Sequence, residues 1–424
     1  MHRRESMMLL IAVVLVVATA PIAHAAVEFW TWWHVDDEDL SKMSEFVGEE
    51  VIYREVLFEE FPQQLVTAVA AGTPPDLIYV DTQWFDDFAQ KGTLMDLGPF
   101  IENDTLIPFD DIFPTGLTLW QIDGRQIALP ANVAPSLWWY NGTMFEELGL
   151  PRLDDSFDWD QFLQIARRAT RDTNGDGLHD AKGFMPWWFD IVTLIWSNGG
   201  EIFQDGQIAI DSDEAREALI YYKEFWDLEL IVNWEELAHL GFAQVPDRAW
   251  KEGYVAFAPG GDWVGPSTVR DPVTNEWYFD VQVAHVPRAR RGGRVGLLRG
   301  NGLAIPTGAK NPEGAWKLIA YILGDDNQTL TAHDGQLPAR ISIAQTEYLE
   351  EGYYPYSKDT IIAAMAYQRP SDSGVLWSQT YAIWNSPIKA NIERFVTGQT
   401  SLEGAIETMK RQVTAMLEEA RIRN

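Results

Sequence analysis

Between residues 27 and 80 the chain reads strand, helix, strand, an order that leaves few folds open. Val27-Glu28-Phe29-Trp30-Thr31-Trp32 alternates with period two, the mark of a strand. Glu59 to Ala71 then carries Leu65, Val66, Val69 and Ala70 at helical spacing before Gly72, and Pro74-Pro75 ends the helix. Asp76 to Val80 is a short apolar run suited to a buried parallel strand. Strands joined through a helix lie side by side in a sheet covered on both faces, so the fold class is α/β.

Helices recur down the chain with legible starts. Asp158 and Gln161 have the spacing of a capping box and Phe157 with Phe162 that of a hydrophobic staple, with Phe162, Ile165, Ala166 and Ala169 as the predicted buried stripe. Asp211 with Glu214 repeats the capping pattern. Asn311-Pro312 fits an N-cap followed by the first helical position, and Ser401 to Leu417 is a last amphipathic helix. There is no repeat, low-complexity tract or flexible linker between residues 26 and 424, so two domains would be joined by short ordered crossings.

The N-terminus adds an address. Arg3 and Arg4 precede an apolar run from Met7 to Ala20, and Ala23-His24-Ala25 is a small-x-small cleavage pattern, so residues 1–25 are expected to be a signal peptide. The chain has no cysteine, which excludes disulfides, thiol catalysis and the lipid-bearing cysteine of a tethered exported protein. A periplasmic location without a lipid anchor is the expectation. The formal net charge of -31 repels nucleic acid and anionic membrane. Nineteen Trp residues could build a large core or line a site for ligands with apolar faces.

Five segments, taken in order and spacing, carry a resemblance: LVTAVAAGTPPD (65–76), FAQKGTLMDL (88–97), IDGRQIALP (122–130), YNGTMFEELGLP (140–151) and IPTGAKNPEGA (305–315). Together they resemble the extracellular solute-binding proteins that serve sugar importers of the ATP-binding cassette (ABC) class, of which the maltose-binding protein is the familiar member. The resemblance implies a two-lobed periplasmic-binding-protein-like fold (type II), with the ligand cleft between lobes joined by hinge crossings. It implies an N-lobe of residues 26–133 plus 301–345 and a C-lobe of 134–300 plus 346–424. It also implies a monomer that binds a mono- or oligosaccharide and delivers it to the membrane permease of an ABC transporter, without chemistry.

A pyranose offers apolar C–H faces and a rim of hydroxyls, so its site needs flat aromatics and paired hydrogen-bonding groups. Trp32 and Trp33 end the first strand, where open α/β sheets present ligand loops; core packing is the competing reading. Asp81, with Gln83 and Trp84, follows the next strand, and a carboxylate there could accept two hydroxyls. Asn132 and Ser136 flank the first implied crossing, and Asn301, within Gly300-Asn301-Gly302, lies at another. In similar proteins an aromatic segment like Trp187-Trp188 stacks on the ligand from the C-lobe. Asp262 and Trp263, after Gly260-Gly261, are set to bond and stack, with Trp377 a later candidate.

Asp172, Asn174, Asp176 and Asp180 place oxygen donors at alternate positions around Gly177, as a calcium loop does. Position twelve is Gly183 rather than Glu, so the loop is either an Asx-rich turn or a structural calcium site. No other cofactor is expected. A secreted glycoside hydrolase is the alternative class, since many carboxylates could include an acid and a nucleophile. No GxSxG, HExxH, GxxxxGK or GxGxxG motif is present. A third reading keeps the fold and changes the solute to a polyol phosphate, peptide or polyamine.

Overall fold

The computed structural model describes residues 26–423 apart from 176, 187, 233–246, 272–273, 275, 334, 351–353 and 371–386. The strands that organise them are β1 (Val27–Thr31), β2 (Val51–Glu55), β3 (Leu77–Asp81), β4 (Leu129–Pro130), β5 (Leu137–Asn141), β6 (Lys182–Phe184), β7 (Val255–Gly260), β8 (Val281–Ala284) and β9 (Asn301–Ala304). Among the described residues they form a five-stranded sheet ordered β2-β1-β3-β9-β4 and a four-stranded sheet ordered β8-β5-β7-β6.

In the first sheet β1 runs parallel to β2 and β3, the register the strand–helix–strand reading requires. β9 then inserts antiparallel between β3 and β4, pairing Asn301 with Asp81 and Gly302 with Pro130. A strand from beyond residue 300 is therefore built into a sheet begun at residue 27. Period-two alternation sends Phe29, Leu77 and Leu303 into a core under the helix Pro312–Ile322, and Trp30, Ile78, Val80 and Ala304 into a core on the opposite face. That second core continues through Trp120 and Val133 to Leu137 and Trp139 of the second sheet. Trp138 and Tyr140 of β5 point the other way, into a core shared with the helices Trp159–Ala169 and Asp213–Asp227.

Local signals meet their partners in most places. Asp158 accepts from the Gln161 amide at 2.8 Å while the Gln161 side chain accepts from the Asp158 amide at 3.1 Å, and the Phe157 and Phe162 rings meet edge-on at 6.2 Å. Asn311 caps Pro312–Ile322 by accepting from the Gly314 amide at 3.0 Å. Two local readings are corrected. The helix after Asp211 begins at Asp213, so its cap is the Ser212 hydroxyl, which accepts from the Ala215 amide, and Asp211 pairs instead with Lys410. In Phe61–Ala70 the buried residues are Phe61 and Leu65, one turn apart, which leaves Val66 exposed. Among the described residues no helix is long and apolar enough to cross a membrane.

The close seat of β6 on the helix Trp159–Ala169 depends on Gly183, where an added Cβ would lie 2.6 Å from the Ala166 Cα and carbonyl oxygen. Backbone cannot yield as a flexible side chain can. The Gly183→Ala variant is expected to lose about 2 kcal/mol of stability, read from the urea midpoint at unchanged m-value.

Candidate ligand site between the lobes

The two sheets are tied by chain segments that pair with each other. Ala134 and Arg299 exchange backbone hydrogen bonds at 2.8 and 3.0 Å, and the Ala131 amide donates to the Asn301 carbonyl at 2.8 Å. Asn132 reinforces the pair: its Oδ1 accepts from the Asn301 amide at 2.7 Å and its Nδ2 donates to Gln336 Oε1 at 2.6 Å. Ser136 brings in a further segment, its amide donating to Gln368 Oε1 at 2.9 Å and its hydroxyl to the Leu297 carbonyl at 2.8 Å. Gly300 is required here. Its φ is 155° and an added Cβ would stand 2.7 Å from the Asn132 carbonyl oxygen.

Around this knot the sequence candidates gather. Asp81 ends β3 beside Asn301 and caps the next helix, its Oδ1 accepting from the Gln83 amide at 2.8 Å. Gln83 lies half-buried as the second residue of that helix. Arg299, which sequence reasoning missed, reaches within 4.0 Å of Asp81 Oδ1 and sets its guanidinium 4.9 Å from the centre of the Trp263 ring. The available signal was a cation immediately before Gly300-Asn301-Gly302 at a crossing. Trp263 stands half-buried in a short 3-10 turn after β7. Its neighbour Asp262 is buried, and its Oδ2 accepts from the Leu337 amide at 2.8 Å, linking the second sheet to a segment that pairs with Asn132 and Val133.

The aromatic candidates divide. Trp84 is 2% exposed, edge-on to Trp32 at 5.3 Å and stacked on Phe61 at 5.6 Å, so it supports the site from the core and presents no free face. Trp32 is partly buried against Phe58 and Phe61. Trp33 is 45% exposed, and its carbonyl is held by the Tyr53 hydroxyl at 2.7 Å. Trp187 and Trp377 lie outside the described residues, as does the side chain of Trp188, the first residue of the helix Trp188–Ser197.

Asp176 also lies outside the described residues. Asp172 accepts from the Gly175 and Gly177 amides at 2.7 and 2.9 Å, and Asp180 from the amide and hydroxyl of Thr173 and from the side-chain amide of Asn174. This loop walls an open pocket of about 560 Å³, lined also by Glu147, Arg171, Lys251, Glu252 and Tyr278 at the end of β5 remote from the crossings. Its charges partly pair with one another, Arg171 with Glu147 at 3.5 Å. The convergence of hydrogen-bonding groups with a half-exposed indole is at the crossings instead.

Burial pushes the Asp81 carboxyl above its ordinary value, and the Arg299 charge opposes that rise. Burial pushes Asp262 up to about 7, against the pull of the backbone amides it accepts from.

The model of one protein family, the bacterial extracellular solute-binding proteins, matches residues 38–329. The chain belongs to this family. A curated binding protein of Brucella abortus is 24% identical over 295 residues, 68% of this chain and 67% of its own. An arabinooligosaccharide-binding protein of Halalkalibacterium halodurans is 24% identical over 203 residues, 45% of this chain and 43% of its own. An ABC substrate-binding protein of Listeria monocytogenes in complex with cycloalternan superposes with a TM-score of 0.77 at 18% identity, covering 93% of this chain and 98% of its own. The sugar-binding protein MalE of Xanthomonas citri does so with 0.74 at 19% identity, covering 94% and 98%. The fold of this family member is thus that of two-lobed solute-binding proteins.

Asp262 gives stability a pH slope. The unfolded side chain ionises near its ordinary 3.8 and the folded one near 7, so between those values the folded state holds the extra proton. Its contribution is present below pH 4 and lost as pH rises through 7. Asp262→Asn, which can still accept from Leu337, is expected to show a shallower fall in Tm from pH 4 to 8 than the parent. An unchanged slope would refute the assignment.

Proposed function

We infer that the protein is the exported, extracytoplasmic binding component of an ABC importer and captures a mono- or oligosaccharide between its lobes. The observation that carries this is the meeting of Asp81, Asn301 and Arg299 with the Trp263 indole at the lobe crossings. A carboxylate and an amide accept and donate to paired hydroxyls while an indole covers a sugar's C–H face. The names of the arabinooligosaccharide-binding relative and of structural neighbours that carry cycloalternan or maltotriose support the ligand class.

Ligand that touches both lobes favours the closed arrangement by its differential affinity, and the permease is the partner that reads closure. On this reading the site binds without transforming: Asp81 faces the Arg299 cation and Asp262 spends its Oδ2 on the Leu337 amide, so neither carboxyl is placed as the acid and nucleophile pair of glycoside cleavage. For the 172–180 loop we favour a turn closed by backbone amides over a calcium site, and EDTA is then expected to leave Tm unchanged.

The test is titration of the purified protein with a panel of mono- and oligosaccharides, followed by tryptophan fluorescence and calorimetry, with product analysis on the same samples. Saturable binding of at least one sugar, recovered intact, is expected. Trp263→Ala should raise its Kd about tenfold or more, the equivalent of one lost stack with its burial. Cleaved sugar would indicate a hydrolase, and silence across the panel a different solute.

A further inference from the structure

Arg299 is a buried cation whose backbone is clamped on both sides. Its amide donates to the Ala134 carbonyl at 3.0 Å, and the amide of the preceding Leu298 donates to the Arg369 carbonyl at 2.8 Å. Its side chain is 12% exposed, as is that of Asp81, so the field between them is weakly screened. At 4.0 Å from Asp81 Oδ1 it is near enough to act on the charge, while the Asp81 lone pairs used within the protein go to the Gln83 amide and to local contacts with Thr82 and Gln83. It also approaches a residue of the opposite lobe, the Trp263 ring at 4.9 Å.

A carboxylate buried without a cation takes up a proton, and a protonated acid loses acceptor capacity toward sugar hydroxyls. An indole bearing a guanidinium against its face is held in place by a planar contact that an ammonium makes less well. We propose that Arg299 is the positioning residue of the ligand site: from the hinge it keeps the Asp81 carboxylate charged and the Trp263 ring in place, so that acceptor and stacking platform are set together. This rests on the reading of Asp81 and Trp263 as ligand contacts. The other groups bearing on Asp81 are the neutral side chains of Thr82 and Gln83 on its own helix, and Asn301 opposite it on β9.

The experiment has two arms, so that failure of the ligand reading and failure of this proposal can be told apart. In the first, carboxyl carbon NMR follows the titration of Asp81 in the full ligand-free chain. The midpoint is expected to rise by at least one pH unit in Arg299→Met and to stay near the parent value in Arg299→Lys. An equal midpoint in parent and Arg299→Met overturns the proposal, whatever the ligand is.

In the second arm, the sugar found to bind the parent is titrated between pH 6 and 9. With Asp262→Asn in every protein of this arm, so that the neighbouring carboxyl raised to about 7 does not titrate, the parent's Kd should be nearly flat. Arg299→Met should bind at least tenfold more weakly at pH 6 and recover part of the loss as pH rises and Asp81 ionises. Arg299→Lys should weaken binding by a factor that does not change with pH, because it keeps the charge and loses the planar contact. A purely structural arginine would give a pH-independent loss in both variants. Should Arg299→Met not fold, Arg299→Gln serves the same comparison, and the same substitution beside Asp81→Asn should show no pH dependence. A parent that binds no sugar, with the Asp81 midpoint shifted as expected, defeats the ligand reading alone.

Discussion

The backbone pairing of residues 131–134 with 299–301 is the constraint on which the molecule depends. The first sheet draws β1–β4 from before it and β9 from after it, while β5–β8 of the second sheet lie wholly between its two segments. Two short antiparallel segments with interchanged hydrogen bonds are stiff along their length and can still twist. The Asn132 side chain and the glycine at 300 make this pairing close, since a larger residue at 300 would meet the Asn132 carbonyl.

Against that constraint the buried charges take on meaning. In a chain of net charge -31 most carboxylates can sit in water at little cost, so a buried one at a lobe junction needs a physical account. Burial raises both carboxyls; at Asp81 the Arg299 charge and the Gln83 amide oppose the rise, and at Asp262 backbone amides do. An amide dipole offsets burial less than a full charge does. A buried ion pair such as Asp81 with Arg299 is weak ground for stability, since desolvation consumes most of its attraction. Its value lies in fixing which groups stand at the junction and in what charge state.

Much of the fold was legible because its signals are local. The capping box at Asp158 and the Asn311-Pro312 helix start depend on residues within one turn of each other, and strand β1 on alternation within five residues. The misreadings have equally local causes. Asp211 and Ser212 are both capping residues, and a one-residue choice between them turns on Asp211 being drawn to Lys410, 199 residues away. Val66 reads as part of an apolar stripe, but tertiary packing chose the Phe61–Leu65 face. In the site, Asp81, Asn132, Asp262, Trp263 and Asn301 were each read from a motif and are brought into one neighbourhood by the fold. Arg299 was not read, because its partners at positions 81 and 263 are remote in sequence and arginine before a glycine is ordinary at a surface.

The tryptophans show how the core and the site share one composition. Trp84, Trp120, Trp138, Trp139 and Trp250 are fully buried and fill the space between sheets and helices, and the partly buried Trp32 meets Trp84 edge-on. Large rings in these positions make a rigid floor, since they lose little conformational entropy for the area they cover. A half-exposed indole such as Trp263 can hold a fixed orientation only if what lies behind it does not move. Behind it are Asp262, bonded across to the Leu337 amide, and Gly261, whose carbonyl accepts from the buried Trp139 indole at 2.8 Å. The platform is therefore anchored to the core of one lobe and to a segment of the other, and its guanidinium neighbour comes from the crossing between them.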